Sequence, residues 1–170
     1  MTKKQFSIVF FLINFGIACF ISYTLCRLLF NEVGDISNNP NIDQTSFKVC
    51  NCFLSNQYYQ VGTHYVGERT AMRKELYNLI GDTTINESKN GYITFRFIVS
   101  CKGKTGRFRI YQADSSIKKT NFNSRTIDKL LKAVMLLKQW KPGKDNSDNL
   151  VDSYYQINFK IEKGKITNIF

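Results

Sequence analysis

Few residues in this sequence have the types and spacing that catalysis requires. His64 is the only histidine, and the serines, cysteines and carboxylates around it support no Ser–His–Asp or Cys–His arrangement. Asp145, Asp148 and Asp152 lie close together but lack the spacing and the glutamate of an EF-hand, so they are interpreted as solvated loop acids. We therefore predict neither an enzyme nor a cofactor.

Basic residues are the other group that could carry chemistry. Residues 89–170 hold 17 basic and 6 acidic residues, whereas residues 31–88 hold 4 and 7. Such a field favours acidic partners, although a solvated lysine-rich surface has the same composition. A basic hairpin is predicted from four of these residues, Lys102, Lys104, Arg107 and Arg109. No aromatic signature of RNA binding accompanies it, so nucleic acid is not an expected partner.

The first 30 residues predict a membrane anchor. Lys3 and Lys4 precede an uncharged run from Gln5 to Cys26 that is long enough to cross a bilayer as a helix. The two lysines favour a single pass with the N-terminus in the cytoplasm and the rest of the chain across the membrane. A cleaved secretory signal and a lipoprotein acylated at Cys19 are the alternatives.

Residues 31–60 are predicted to be a short flexible spacer, because they are polar, aperiodic and interrupted by Pro40. Three cysteines lie beyond the apolar run, at positions 50, 52 and 101. A location outside the cytoplasm permits disulfides, which favours a bridge from Cys101 to either Cys50 or Cys52. A metal site is not expected, because too few further ligands are present.

Residues 61–170 are predicted to form one α+β domain. Apolar residues recur at helical spacing near 67–80 and over 124–139, and they alternate with period two in the predicted strands. Those strands are Tyr92–Cys101, Thr105–Gln112, Tyr154–Glu162 and a short one at Ile166–Phe170. An antiparallel sheet of three to four strands with two helices packed on one face would bury every apolar stripe.

Four segments, taken in order, resemble the C-terminal domain of TonB-like proteins of the Bacteroidota-type cell envelope. They are Gly67–Lys74, Gly91–Val99 with the following Gly106–Arg109, Trp140–Gly143, and Tyr154–Ile161. The resemblance covers roughly residues 60–170 and implies an inner-membrane protein with its domain in the periplasm. It also implies two partners, the extended N-terminal motifs of outer-membrane TonB-dependent receptors and inner-membrane proton-channel proteins.

Receptor binding by strand pairing needs an exposed sheet edge. The predicted edge is the last long strand or its continuation to Phe170. The candidate binding residues are Tyr155, Gln156, Ile157, Asn158, Phe159, Lys160 and Ile161. The membrane run has no histidine and the spacer only one proline, whereas family members that transmit energy carry a membrane histidine and a long proline-rich spacer. The alternative function is therefore an envelope structural or assembly protein that uses the same fold without a transporter partner.

Overall fold

The computed structural model describes residues 3–29, 36–51, 56–85 and 88–170. The chain divides into two compact units, Met1–Glu32 and Val33–Phe170. The first unit contains one helix, α1 (Lys3–Leu29). The second contains α2 (Tyr58–Val61), α3 (Glu68–Ile80) and α4 (Ser124–Leu136).

Helix α1 presents apolar side chains to its surroundings, among them Phe11 and Phe20, each 68% exposed. Two of its polar side chains bond within the helix: Asn14 donates to the Phe10 carbonyl at 2.7 Å, and Thr24 donates to the Phe20 carbonyl at 3.0 Å. Within the described residues, no helix combines the length and the apolarity that a bilayer crossing requires.

The main sheet has five strands and lies in the second unit. Four follow the order β1 (Asn56–Gln57), β8 (Ser153–Glu162), β3 (Gly91–Val99) and β4 (Thr105–Asp114), and β9 (Lys165–Ile169) also pairs with β8. Two small ribbons join β2 (His64–Tyr65) to β5 (Trp140–Lys141) and β6 (Gly143–Lys144) to β7 (Leu150–Val151).

The predicted α+β class is confirmed. The observed sheet is larger than the predicted one, and it is not purely antiparallel. Strand β1 lies parallel to β8, through the pairs Asn56–Ser153 and Gln57–Tyr154. This two-residue strand falls in the predicted spacer. It was missed because a strand this short carries no period-two pattern.

The inner face of the sheet forms the main core with the helices. The alternate residues Ile93, Phe95, Phe97 and Val99 of β3 are all fully buried, as the period-two pattern predicted. Helix α3 adds Met72, Leu76 and Ile80, and α4 adds Ile127, Leu130, Ala133 and Val134. Trp140 lies in the same core, with its ring 4.7 Å from Tyr155.

Local backbone and side-chain chemistry explains where helices α3 and α4 begin. Gly67, at a φ of +77°, precedes α3, a backbone geometry that glycine adopts without strain. Asn123 caps α4, because its side chain accepts a hydrogen bond from the Arg125 amide at 2.9 Å. Helix α4 ends at Leu136, because Leu137 adopts an extended backbone with a ψ of 116°, and the helix is therefore shorter than the predicted 124–139.

The outer face of the sheet is covered by residues 36–51, hereafter the strap. Ile36 is 2% exposed and forms a second small core with Ile98 and Tyr154. Phe47 packs against this core and also over Gly106, where an added Cβ would overlap the Phe47 ring. The strap thus lies within the unit Val33–Phe170, whereas the sequence predicted a flexible spacer over 31–60 and a domain beginning at residue 61. The apolar residues of the strap contact the sheet at separate points, so they show neither helical nor strand periodicity in the sequence.

Candidate partner-binding site

The predicted edge strand lies inside the sheet. Strand β8 pairs along its whole length with β3 on one side. On its other side, Ser153 and Tyr154 pair with β1, and residues from Phe159 to Glu162 pair with β9. Among the described residues of β8, 155–158 have no strand partner on that side. The alternating pattern identified the strand correctly but carried no information about its neighbours.

The chain's own C-terminus fills the position that was expected to receive a partner. The Asn158 amide donates to the Phe170 carbonyl at 2.8 Å, and the Phe170 amide donates back to the Asn158 carbonyl at 3.0 Å. Lys160, nearby on the polar face, forms a 2.8 Å ion pair with Glu162. The hydrogen bond to the Glu162 carboxylate raises the pKa of Lys160. Tyr155, Ile157, Phe159 and Ile161 are buried.

Strand β9 does not offer a free edge either. The Ile166 amide donates to the Thr83 carbonyl at 3.0 Å, which covers the start of the strand. At its end, the Arg73 guanidinium donates to the Ile169 carbonyl at 2.8 Å, and the Ile169 amide donates to the Asn168 side chain at 2.9 Å. The Thr83 carbonyl and two side chains thus occupy groups that another strand would need, a common protection against edge pairing.

The opposite edge of the sheet, strand β4, is open in its middle. The segment after the strand covers its last residues, because Thr120 donates to the Gln112 carbonyl at 3.2 Å and Asp114 donates to the Lys118 carbonyl at 2.8 Å. Backbone groups along an antiparallel strand alternate between its two sides. The amide and carbonyl of Ile110 therefore face the same outer side as Gln112 and Asp114, and in the described part of the chain no strand pairs there.

A groove of about 390 Å³ runs along this open edge, hereafter the β4 groove. One wall is formed by Leu131 and Met135 of α4, and the other by Ile42 to Gln44 of the strap. Ile42 is 62% exposed and Met135 37% exposed. An extended peptide in this groove would meet the outward amide and carbonyl of Ile110 on its floor and apolar side chains beside it. The next outward carbonyl, that of Phe108, already accepts a hydrogen bond from the Arg109 side chain at 2.9 Å. These residues were not predicted as a site, and the one available signal was Met135, which lies off the apolar stripe near the end of α4.

The four basic residues predicted to form one surface lie in two different places. Lys102 and Lys104 are exposed at the turn between β3 and β4. Arg107 and Arg109 are half-buried on the outer face of the sheet, and Arg109 holds the strap. Arg109 donates to both Asp43 oxygens, at 2.7 and 2.9 Å, and to the Ser37 carbonyl at 2.7 Å.

This ion pair is shielded from solvent, because the Asp43 side chain is only 4% exposed. The hydrogen bond from Arg109 lowers the pKa of the Asp43 carboxyl. The charged form of Asp43 is therefore favoured, and its pair with Arg109 fixes the strap wall of the β4 groove.

A disulfide closes the other end of the strap. Cys50 and Cys101 are bridged, with their Cα atoms 6.1 Å apart, which confirms a predicted bridge and selects Cys50 as the partner. Cys52 lies outside the described residues.

Asp152 completes this junction, in contrast to the predicted solvated loop acid. Its side chain is fully buried. It accepts hydrogen bonds from the amides of Cys50 and Asn51, both at 2.7 Å, and from the amide of Cys101 at 2.8 Å. A buried carboxylate requires such donors, and here they bind the strap to β3 and β8.

The same three residues are the cluster of potential metal ligands found in the described part of the chain. Cys50, Cys101 and Asp152 place a ligand atom each within 4.8 Å of the others. Both sulfurs belong to the disulfide and are not thiolates, so they do not fit a metal ion. His64 makes a 2.8 Å contact from Nδ1 to the Gly62 carbonyl, which orients its ring locally.

No protein-family model, curated protein or solved structure matches this chain.

Proposed function

We propose that this chain is an anchored protein-interaction module that binds an extended segment of a partner by adding it as a strand to β4. The observation that carries the proposal is the open middle of β4 beside an apolar groove, when the β8 and β9 edges are covered by the chain itself. Main-chain hydrogen bonds would provide much of the affinity, and the walls of the groove would select the side chains.

The TonB-like resemblance suggests a cellular location and partners for this module. The lysines before the apolar run and the disulfide both suit an inner-membrane anchor with the domain in the periplasm. Outer-membrane receptors with extended N-terminal segments are then the proposed partners, and inner-membrane proton-channel proteins would contact the anchor. Partner binding would use β4, whereas the resemblance implied the last long strand.

Two neighbouring residues of α4 provide a matched test. Met135 lines the β4 groove, whereas Leu136 is 51% exposed and is not part of the groove lining. The full chain in detergent is titrated with N-terminal peptides from outer-membrane receptors of the same cell. We expect Met135→Lys to weaken binding roughly tenfold, about 1.4 kcal/mol, because its ammonium group would occupy the groove. Leu136→Lys should bind like the wild type.

A second variant tests the backbone directly. Ile110→Pro removes one edge amide and should abolish binding, while Ile110→Val keeps the amide and should bind nearly normally. Equal binding by all four variants would overturn the proposal. Absence of binding to any receptor peptide, with the protein folded, would instead favour the envelope structural or assembly function.

A further inference from the structure

Arg107 and Arg109 lie two residues apart on β4 but differ in the number and length of the hydrogen bonds that their guanidinium groups make. Arg109 makes four hydrogen bonds of 2.7–2.9 Å, to Asp43, Ser37 and Phe108. Arg107 makes one long bond of 3.5 Å, to the Ile36 carbonyl. Its buried Nε has no hydrogen-bond partner among the described residues. Arg109 therefore has a structural role that Arg107 does not share.

The backbone at Arg107 is also unusual. Its φ is +55°, a left-handed conformation that is rare for residues other than glycine. The register between β3 and β4 shifts opposite this point, between Arg96 and Ile98. A bulge of this kind redirects a side chain, and strained backbone of this kind is concentrated at binding sites.

Arg107 stands where two cavities meet. It lines the β4 groove, and it also lines a second cavity of about 470 Å³ whose wall includes Lys48. The two cavities share Asp43 and Gln44 as well as Arg107. Since Arg109 already neutralises Asp43, Arg107 and Lys48 leave an excess of positive charge at this end of the groove.

We propose that Arg107 binds a carboxylate of the incoming strand, so that the module selects an extended segment with apolar residues followed by an acidic one. This inference rests on the proposed function. A guanidinium group forms paired hydrogen bonds with a carboxylate, which adds geometric selectivity to charge attraction. A partner strand antiparallel to β4 runs from Ile110 towards Arg107, so its acidic residue lies on the C-terminal side of the apolar ones.

A second copy of the chain suits this groove less well. Strand β4 contributes two arginines, and its one acidic residue, Asp114, accepts hydrogen bonds from the Ser116 and Lys118 amides at 2.8 and 3.0 Å. A second copy of β4 would bring two further arginines to an edge that is already positively charged. The selected occupant is therefore an acidic segment of another protein.

The test compares two peptides that differ by one charge. The probes are fluorescent, blocked Thr-Val-Thr-Val-Thr-Glu-Thr and the same peptide with Gln in place of Glu, titrated against the full chain in detergent at low salt. The wild type should bind the Glu peptide roughly tenfold more tightly. Arg107→Gln should bind both peptides equally, and Arg107→Lys should keep part of the preference. The control, Lys104→Gln, removes an exposed charge on the same hairpin and should keep the full preference.

Every other outcome contradicts either the role of Arg107 alone or both proposals. Equal binding of the two peptides by the wild type, or an equal loss in Lys104→Gln and Arg107→Gln, overturns the role of Arg107 while strand addition stands. Binding of neither peptide overturns the proposed function and this inference with it. Self-association through β4 that the Glu peptide fails to displace identifies a second copy as the occupant and also overturns the inference.

Discussion

The two faces of the sheet are covered in different ways. Phe97 and Ile98 are neighbours on β3 and both are fully buried, but they point to opposite faces. Phe97 packs into the large core beneath α3 and α4, whereas Ile98 packs beneath the strap. Regular helices cover the first face through continuous apolar stripes. An irregular segment covers the second through a few apolar contacts, one ion pair and one disulfide.

The two faces therefore contribute differently to folding stability and to the proposed partner binding. The inner face has the contacts of a continuous core, whose size dominates the free energy of folding. The strap has less apolar contact, and it also supplies one wall of the β4 groove and the ion pair beside Arg107. Changes to the strap should therefore affect partner binding at lower cost to folding than changes to the inner core.

The largest expected effect is on the inner face. Phe97 contacts the rings of Phe108, Trp140 and Tyr155 at centroid distances of 5.1–5.9 Å. Phe97→Ala should lower the free energy of unfolding by about 5 kcal/mol, the upper end for a buried phenylalanine. Phe170→Ala, at a ring that is 39% exposed, is the matched control and should cost about 1 kcal/mol. Equal losses in denaturant titrations would contradict this assignment of the core.

The disulfide should come next. Cys50 and Cys101 are 51 residues apart, and a closed loop of that length contributes about 4 kcal/mol in the chain-entropy model. We expect reductant to lower the unfolding midpoint of the wild type. The double variant Cys50→Ser, Cys101→Ser should already have the lower midpoint and should not respond to reductant. A wild type that ignores reductant, with its thiols shown to be free, would disprove the stabilising role.

The outer core should show a smaller effect than the inner one. Ile98→Ala should cost about 3 kcal/mol, because the strap leaves Ile98 fully buried but can relax around a cavity. Ile117→Ala, at a side chain 73% exposed, is the control and should lie within about 0.5 kcal/mol of the wild type. Amide exchange in the strap should also accelerate in Ile98→Ala. A cost below about 1 kcal/mol would show that the strap does not pack on this face.

The smallest effect concerns the ion pair, and it depends on pH. Asp43→Asn should cost about 2 kcal/mol at neutral pH, since it weakens hydrogen bonds to a charged partner. The pKa of Asp43 is lowered in the folded state, so its stabilisation is present above the ordinary aspartate pKa of about 4 and is lost as the pH falls through the lowered value. The wild type and the variant should therefore converge in acid.

A surface ion pair supplies the control for this pH dependence. Asp148 pairs with Lys144 at 3.0 Å, but its side chain is 83% exposed. Asp148→Asn should change the free energy of unfolding by less than about 0.5 kcal/mol at any pH. A gap between the wild type and Asp43→Asn that stays constant down to acid pH would show that Arg109 does not stabilise the charged form of Asp43.

Regular elements were predictable from the sequence to within a few residues. The helix predicted near 67–80 spans Glu68–Ile80, and the strand predicted over Tyr154–Glu162 spans Ser153–Glu162. Their periodic apolar residues report which side of an element is buried. The cysteines narrowed the disulfide to two partners, and the structure selected Cys50.

The sequence could not indicate which strand edge is open. A strand's side chains record what lies above and below it, but its lateral neighbours are bound through backbone groups that every residue shares. Strand β8 is covered because residues 56–57, which are distant in the chain, and residues 165–170, which follow β8 directly, both lie beside it. The burial of Asp152 was not predictable either, because the amides that donate to its carboxylate belong to positions 50, 51 and 101.

By itself, therefore, the sequence determined the α+β class, the inner core and an excess of positive charge in the C-terminal half. Tertiary structure alone decided that the strap covers the outer face, that β8 is interior and that β4 offers the open edge with Arg107 at its end. Local periodicity is encoded in neighbouring side chains, whereas edge pairing and burial of single polar groups depend on contacts between residues that are far apart in the chain.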